Sequence, residues 1–222
     1  MTKQEILQLI SFIDLTTLSS LDNQDSIKTI VDKANAGFEN SYPAAVCVYA
    51  NHGDFVRFNL DSHIKTAVVA GYFPSGQASL EHKIQELNSI CQSGVEEIDI
   101  VINRGELIAQ NYDTIAKEVE LSKSIVEHRK LKVILETGEL SKEQIELASK
   151  ISVDNGADFI KTSTGKIPVG ATEEAATIMC NVIKSSGRPV GFKASGGIST
   201  FKQATIYRDI VKSILGENYL RS

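Results

Sequence analysis

The sequence has little of several features that would assign a protein to a class at once. Its 222 residues include only three cysteines, Cys47, Cys91 and Cys180. An odd number spread this widely fits neither a disulfide framework nor a zinc site, so they read as reduced core or near-core thiols. No run of about eighteen consecutive apolar residues occurs, so no membrane-spanning helix and no membrane partner is expected. Met1-Thr2-Lys3-Gln4-Glu5-Ile6 has no basic segment leading into an apolar run and does not read as a secretory signal; a cytoplasmic location is expected. Positive charge is not in excess: 23 Lys and Arg stand against 28 Asp and Glu, and the basic residues are interleaved with acids. That is no nucleic-acid footprint, so no nucleic-acid partner is expected. His52, His63 and His82 show no metal-ligand spacing, so neither a metal nor a cofactor is called for.

What is present is an alternation. Seven short apolar runs rich in β-branched residues stand out: Phe12 to Leu15, Ala44 to Tyr49, Thr66 to Ala70, Glu97 to Ile102, Leu131 to Glu136, Asp158 to Thr162 and Pro189 to Ala194. Between them, Gln24 to Phe38, Ser79 to Ser93, Asp113 to Arg129, Lys142 to Asn155 and Thr172 to Ser186 carry apolar residues three and four apart, the spacing of amphipathic helices. Ser141, ahead of Glu143 and Gln144, reads as a helix N-cap, and Gly37, Gly94, Gly156 and Gly187 stand where helices should stop.

Strands alternating with helices predict an α/β protein with a parallel sheet. A doubly wound nucleotide-binding sheet would lead from its first strand into a glycine-rich turn, yet Leu15-Thr16-Thr17-Leu18-Ser19-Ser20 has no glycine. In a (β/α)8 TIM barrel, polar residues from many strands converge at the C-terminal face. Asp14, Asp99, Glu136, Lys161 and Lys193 all lie in or at the ends of apolar strands, which favours the barrel. After the helix expected over 201–215 no eighth strand is legible. Residues 1–222 are therefore expected to form a single barrel domain with its eighth strand missing, through truncation or by nature.

Chemistry is expected at Lys161. Its amine should leave a strand amid low-dielectric packing, where burial favours the neutral form that attacks a carbonyl. Lys193, on the next strand, would place a second cation nearby and depress the Lys161 pKa further. Asp99, between Ile98 and Ile100, must be paired if buried; it reads as a proton-transfer group, a counter-ion to both lysines, or a salt bridge closing the barrel top. Asp14 could line the site or serve as a turn residue, and Glu136 could point into it or play a structural part. Thr164-Gly165-Lys166 and Ser195-Gly196-Gly197 follow the two lysine strands and offer backbone N–H groups suited to phosphate.

These runs resemble the deoxyribose-phosphate aldolase family from about Ile10 to Thr200. The resemblance is carried by Asp14-Leu15-Thr16-Thr17-Leu18, Val46-Cys47-Val48-Tyr49, Glu97-Ile98-Asp99-Ile100-Val101, Lys132-Val133-Ile134-Leu135-Glu136-Thr137-Gly138, the run from Gly156 through Lys161 to Lys166, and Gly191-Phe192-Lys193-Ala194-Ser195-Gly196-Gly197. It implies a class I aldolase in which Lys161 forms the Schiff base, Lys193 lowers its pKa and Asp99 belongs to the proton relay. The implied reaction is reversible cleavage of 2-deoxy-D-ribose 5-phosphate into D-glyceraldehyde 3-phosphate and acetaldehyde. The substrate-binding set expected on these motifs is Asp14, Thr16, Cys47, Thr164, Gly165, Lys166, Gly196 and Gly197, and a homo-oligomer is expected. The sequence departs from the family at Ile198-Ser199, where a basic residue is usual, and no Gly-Ala-Ser-Ser run follows Arg208. The competing reading is an impaired or non-catalytic barrel, without a complete phosphate site, that serves as a binding or assembly partner.

Overall fold

A computed structural model describes residues 2–221. Seven strands form one sheet in sequence order, and every neighbouring pair is parallel. The strands are β1 (Asp14–Thr16), β2 (Ala45–Tyr49), β3 (Lys65–Ala70), β4 (Glu97–Val101), β5 (Lys130–Ile134), β6 (Phe159–Lys161) and β7 (Gly191–Lys193). Helices α1 (Lys3–Ile10), α2 (Gln24–Ala36), α3 (Gly53–Asn59), α4 (Leu80–Gln92), α5 (Arg104–Ile108), α6 (Tyr112–Val126), α7 (Lys142–Asp154), α8 (Glu173–Ser186) and α9 (Phe201–Leu215) surround it.

The strand periodicity of two divides the core. Val46, Val48, Val68, Ile98, Ile100, Leu131, Val133 and Ile160 face outward and bury themselves with Ile27, Val31, Leu87, Ile115, Val119 and Met179 of the helices. Ala45, Cys47, Ala67 and Val69 face inward and form a second, smaller apolar cluster with Leu18. The sheet curls so far that Lys193 on β7 pairs with Asp14 on β1 across the interior. It is a barrel one strand short of closure, as expected.

The expected strands are all present, each shifted by at most a few residues. Ser141 caps α7 in a reciprocal box with Gln144, and Gly37 and Gly187 end α2 and α8 at positive φ. Helix α6 stops at Val126, three residues before the pattern does, because Glu127 takes a left-handed turn at φ 55. The short helices α1 and α5, eight and five residues long, have no counterpart among the expected elements. The first strand begins at Asp14 because Phe12 and Ile13, 42% and 37% exposed, lie outside the ladder.

Candidate active site

The site grows from strand register. Lys161 on β6 lies directly opposite Lys193 on β7, and Asp99 on β4 lies opposite Lys132 on β5. All four side chains enter the interior, where the curl brings them against Asp14 and Glu97. Lys161 Nζ donates to Asp99 Oδ2 at 2.7 Å, and Lys193 Nζ donates to the same oxygen at 2.8 Å. Lys193 also donates to Asp14 Oδ2, which accepts from Lys132 Nζ at 2.6 Å. Lys132 in turn pairs with Glu97. The groups therefore alternate in sign: Glu97, Lys132, Asp14, Lys193, Asp99, Lys161. Asp99 Oδ1 has no hydrogen-bond partner and lies 3.6 Å from Lys132 Nζ.

This arrangement sets the titration of each group. Burial pushes the Lys161 amine below the ordinary lysine range; Asp99 opposes that shift and Lys193 adds to it. Lys193 moves the other way: burial works against its charge, but Asp14 and then Asp99 hold it protonated. Asp99 lies well below the carboxylate range because Lys132, Lys161 and Lys193 together outweigh its burial. Asp14 is held down in the same way by Lys193 and Lys132. Glu97, at the far end, is raised by burial in spite of Lys132. Two lysines on adjacent strands thus have opposite tendencies, one toward a free amine and one toward a fixed cation.

The other expected site residues fall around this row. Cys47 faces the interior fully buried, and burial raises its thiol. Thr16 ends β1, with its hydroxyl donating to the Asp14 carbonyl at 2.8 Å. The two expected phosphate loops touch: a Cβ on Gly196 would come within 2.6 Å of Ser163 Oγ and 3.6 Å of Gly165 Cα, so only glycine fits there. Not all of their N–H groups are available. Thr164 N donates to Glu136 Oε1 at 3.1 Å, Lys166 N to Thr164 Oγ1 at 3.0 Å and Ser195 N to Thr162 Oγ1 at 2.9 Å. Among the described residues, the N–H groups of Gly165, Gly196 and Gly197 meet no protein acceptor. Lys166 reaches across the mouth to the Leu18 carbonyl.

Two members of the charged row, Lys132 and Glu97, were not singled out from the sequence. Lys132 is 2% exposed and sits between Leu131 and Val133, whereas Lys161 has an apolar neighbour, Ile160, on one side and Thr162 on the other. That flanking was the available signal. Glu97 opens its strand and looks like an ordinary polar boundary residue. Glu136 turns away from the charged row to Thr164 and takes the structural option.

A parallel-stranded barrel with a buried lysine driven toward the neutral amine, beside a second lysine held as a cation, is the arrangement of an enzyme that attacks carbonyls through an amine. The chain belongs to the DeoC/LacD family of aldolases, whose family model matches residues 8–216. It is 38% identical to the deoxyribose-phosphate aldolase of Agrobacterium fabrum, an alignment covering 95% of this chain and 82% of that one. Its identity to the deoxyribose-phosphate aldolase of Homo sapiens is 35%, over 97% of this chain and 74% of that one. Its fold is similar to that of the tetrameric deoxyribose phosphate aldolase of Aeropyrum pernix, with a TM-score of 0.75, 26% identity, and 95% and 91% of the two chains covered. Among the described residues, no helix is long and apolar enough to cross a membrane.

Proposed function

We propose that the chain is a class I aldolase that reversibly cleaves 2-deoxy-D-ribose 5-phosphate to D-glyceraldehyde 3-phosphate and acetaldehyde. The observation that carries the reading is the shared contact of Lys161 and Lys193 with one oxygen of Asp99, at 2.7 and 2.8 Å, inside a water-poor interior. Lys161 is assigned as the nucleophile. Its neutral amine adds to the C1 aldehyde of the open-chain sugar, and loss of water gives a protonated imine. When the C3 hydroxyl loses its proton, the C2–C3 electron pair moves toward the imine. D-Glyceraldehyde 3-phosphate departs and an enamine remains. Protonation at C2 followed by hydrolysis releases acetaldehyde and restores Lys161.

The charged row suits this sequence of charge states. A neutral Lys161 leaves the row one positive charge short, and the protonated imine restores it 2.7 Å from Asp99. Asp99 accepts from both Lys161 and Lys193, and it is assigned to the relay that takes the proton of the C3 hydroxyl and returns one to C2. Lys193 supplies the fixed cation. The free N–H groups of Gly165, Gly196 and Gly197, with the Lys166 ammonium, are assigned to the phosphate, and Thr164, whose two donors go to Glu136, to the frame of that loop; Asp14, Thr16 and Cys47 are assigned to the wall around the sugar.

We read residues 1–222 as one barrel domain, cytoplasmic and homo-oligomeric. The unpaired outer edges of β1 and β7 beside half-exposed Phe12 and Ile13, and the tetramer named for the Aeropyrum pernix structure, support association. Borohydride reduction in the presence of 2-deoxy-D-ribose 5-phosphate, followed by mass spectrometry, tests the reaction. A reduced adduct on Lys161 is expected. Its absence from Lys161 would overturn the reading.

A further inference from the structure

Glu136 takes no part in the chemistry above, yet its setting is unusual. It is fully buried. Asp14, Glu97 and Asp99 each meet a lysine, whereas the Glu136 carboxylate is held, among the described residues, by Thr164 alone. The Thr164 N–H donates to Oε1 at 3.1 Å and its hydroxyl to Oε2 at 2.5 Å. The backbone of Glu136 is left-handed, φ 58 and ψ 57. A non-glycine residue keeps that conformation only where its surroundings over-determine it. They do so here: Leu135 N donates to the Lys161 carbonyl at 3.0 Å and Thr137 N to the Thr162 carbonyl at 2.8 Å. The residues on either side of Glu136 are thus clamped to the segment that begins at Lys161.

The Thr164 hydroxyl serves two partners. It donates to Glu136 Oε2. The remaining lone pairs of that hydroxyl accept from Lys166 N at 3.0 Å. Beyond Glu136, the turn lies flush on the far end of the same loop: a Cβ on Gly138 would stand 2.4 Å from the Val169 carbonyl oxygen. Gly170 then abuts Gly196, where a Cβ would stand 2.3 Å from the Gly196 carbonyl oxygen. The turn at 136–138, the loop at 163–170 and the loop at 195–197 are packed as one unit, with Glu136 at its root.

We infer that Glu136 is a positioning residue for the phosphate end of the substrate. It fixes Thr164 and, through the Thr164 hydroxyl, Lys166, so that the free N–H groups of Gly165, Gly196 and Gly197 converge on one anion. The inference rests on the reaction proposed above, and it assigns Glu136 no contact with the reacting atoms.

The test measures kcat and KM of the wild type, Glu136→Ala and Glu136→Gln with 2-deoxyribose 5-phosphate and with unphosphorylated 2-deoxyribose. Borohydride trapping of acetaldehyde on Lys161 is measured alongside. For Glu136→Ala, KM for the phosphorylated sugar should rise roughly tenfold or more. Its kcat/KM for the unphosphorylated sugar and the acetaldehyde adduct should stay within about twofold of wild type. Glu136→Gln keeps an acceptor for Thr164 N, so it should recover most of the loss while still showing a rise confined to the phosphorylated sugar. Equal losses on both sugars, or an unchanged KM in both variants, would overturn the inference. Should Glu136→Ala fail to fold, Glu136→Gln decides by the same criterion.

Failure of the reaction itself would look different. A wild type that shows no preference for the phosphorylated sugar, or no adduct on Lys161, refutes that reading. Amide hydrogen exchange then decides the positioning role. Thr164 and Lys166 should lose protection in Glu136→Ala while Ile160 and Lys161 keep theirs, and unchanged protection at Thr164 and Lys166 would overturn it.

Discussion

The two halves of the barrel interior are built in opposite ways. On β2 and β3 the buried inward positions include Ala45, Cys47, Ala67 and Val69, which are small and uncharged, with Tyr49 packed against them. On β4 through β7 and on β1 they include Glu97, Asp99, Lys132, Lys161, Lys193 and Asp14, three acids and three bases in alternation. Each half makes the other useful. The apolar half excludes water, which strengthens the charge interactions and drives Lys161 toward its neutral form. The charged half cancels most of its own field, so burying six ionisable groups is tolerable.

The largest effect should come from removing the nucleophile from the charged half. Lys161→Leu should lower turnover by roughly 10^4-fold or more while leaving the circular dichroism spectrum unchanged. Residual activity within tenfold of wild type would mean that another amine does the work. Asp99→Leu should be next, because it strips three lysines of a shared partner. Activity should fall by about 10^2 to 10^4, and stability by roughly 3–5 kcal/mol in urea titrations, since unpaired buried charges remain. If Asp99 were merely one exposed-type ion pair, the stability loss would stay below about 1 kcal/mol.

Lys193→Leu sharpens the comparison by removing a cation without touching the nucleophile. Lys193 depresses the Lys161 pKa, so its loss should move the alkaline-rising limb of the rate profile to higher pH. Each unit of that shift costs about tenfold in free amine at neutral pH. A lowered rate with an unmoved limb would assign Lys193 some other part. In the apolar half, Ala67→Leu should cost about 1–3 kcal/mol by overpacking. It should also raise KM more than it lowers kcat, because it fills space rather than altering charge; a kcat effect alone would argue against that division.

The smallest effect concerns acid stability. Asp14 and Asp99 have lower pKa values folded than unfolded. The stability they contribute is complete above the unfolded value of about 4 and is lost as pH falls toward the folded ones. Asp14→Asn, measured by urea midpoints between about pH 6 and 2.5, should therefore decline less steeply below about pH 4 than the wild type.

Much of this was legible in the sequence, for local reasons. A run such as Glu97 to Ile102 reveals a strand because a short apolar stretch rich in β-branched residues, buried on both faces, is a pattern of neighbouring residues, and Ser141 with Gln144 reveals a helix start for the same local reason. Lys161, Lys193 and Asp99 stood out because a charge inside an apolar strand demands a partner. The same rule applied to Lys132, but its place in mid-strand gave no hint that it joins Asp14, 118 positions earlier in the chain. The fit of Gly196 against Ser163 and Gly170 was likewise hidden, since a close approach between loops has no local pattern.

By itself, the sequence determined the alternation of strand and helix, that the central strands are buried, and that Lys161 is an amine in apolar surroundings. Those properties follow from periodicity and side-chain chemistry within a few residues. Only the tertiary structure decided that Glu97, Lys132, Asp14, Lys193, Asp99 and Lys161 form one row, and that Glu136 belongs to the loops instead. Curling a seven-stranded sheet until its first and last strands share an ion pair is a property of the whole barrel, and no single segment encodes which charges will meet inside it.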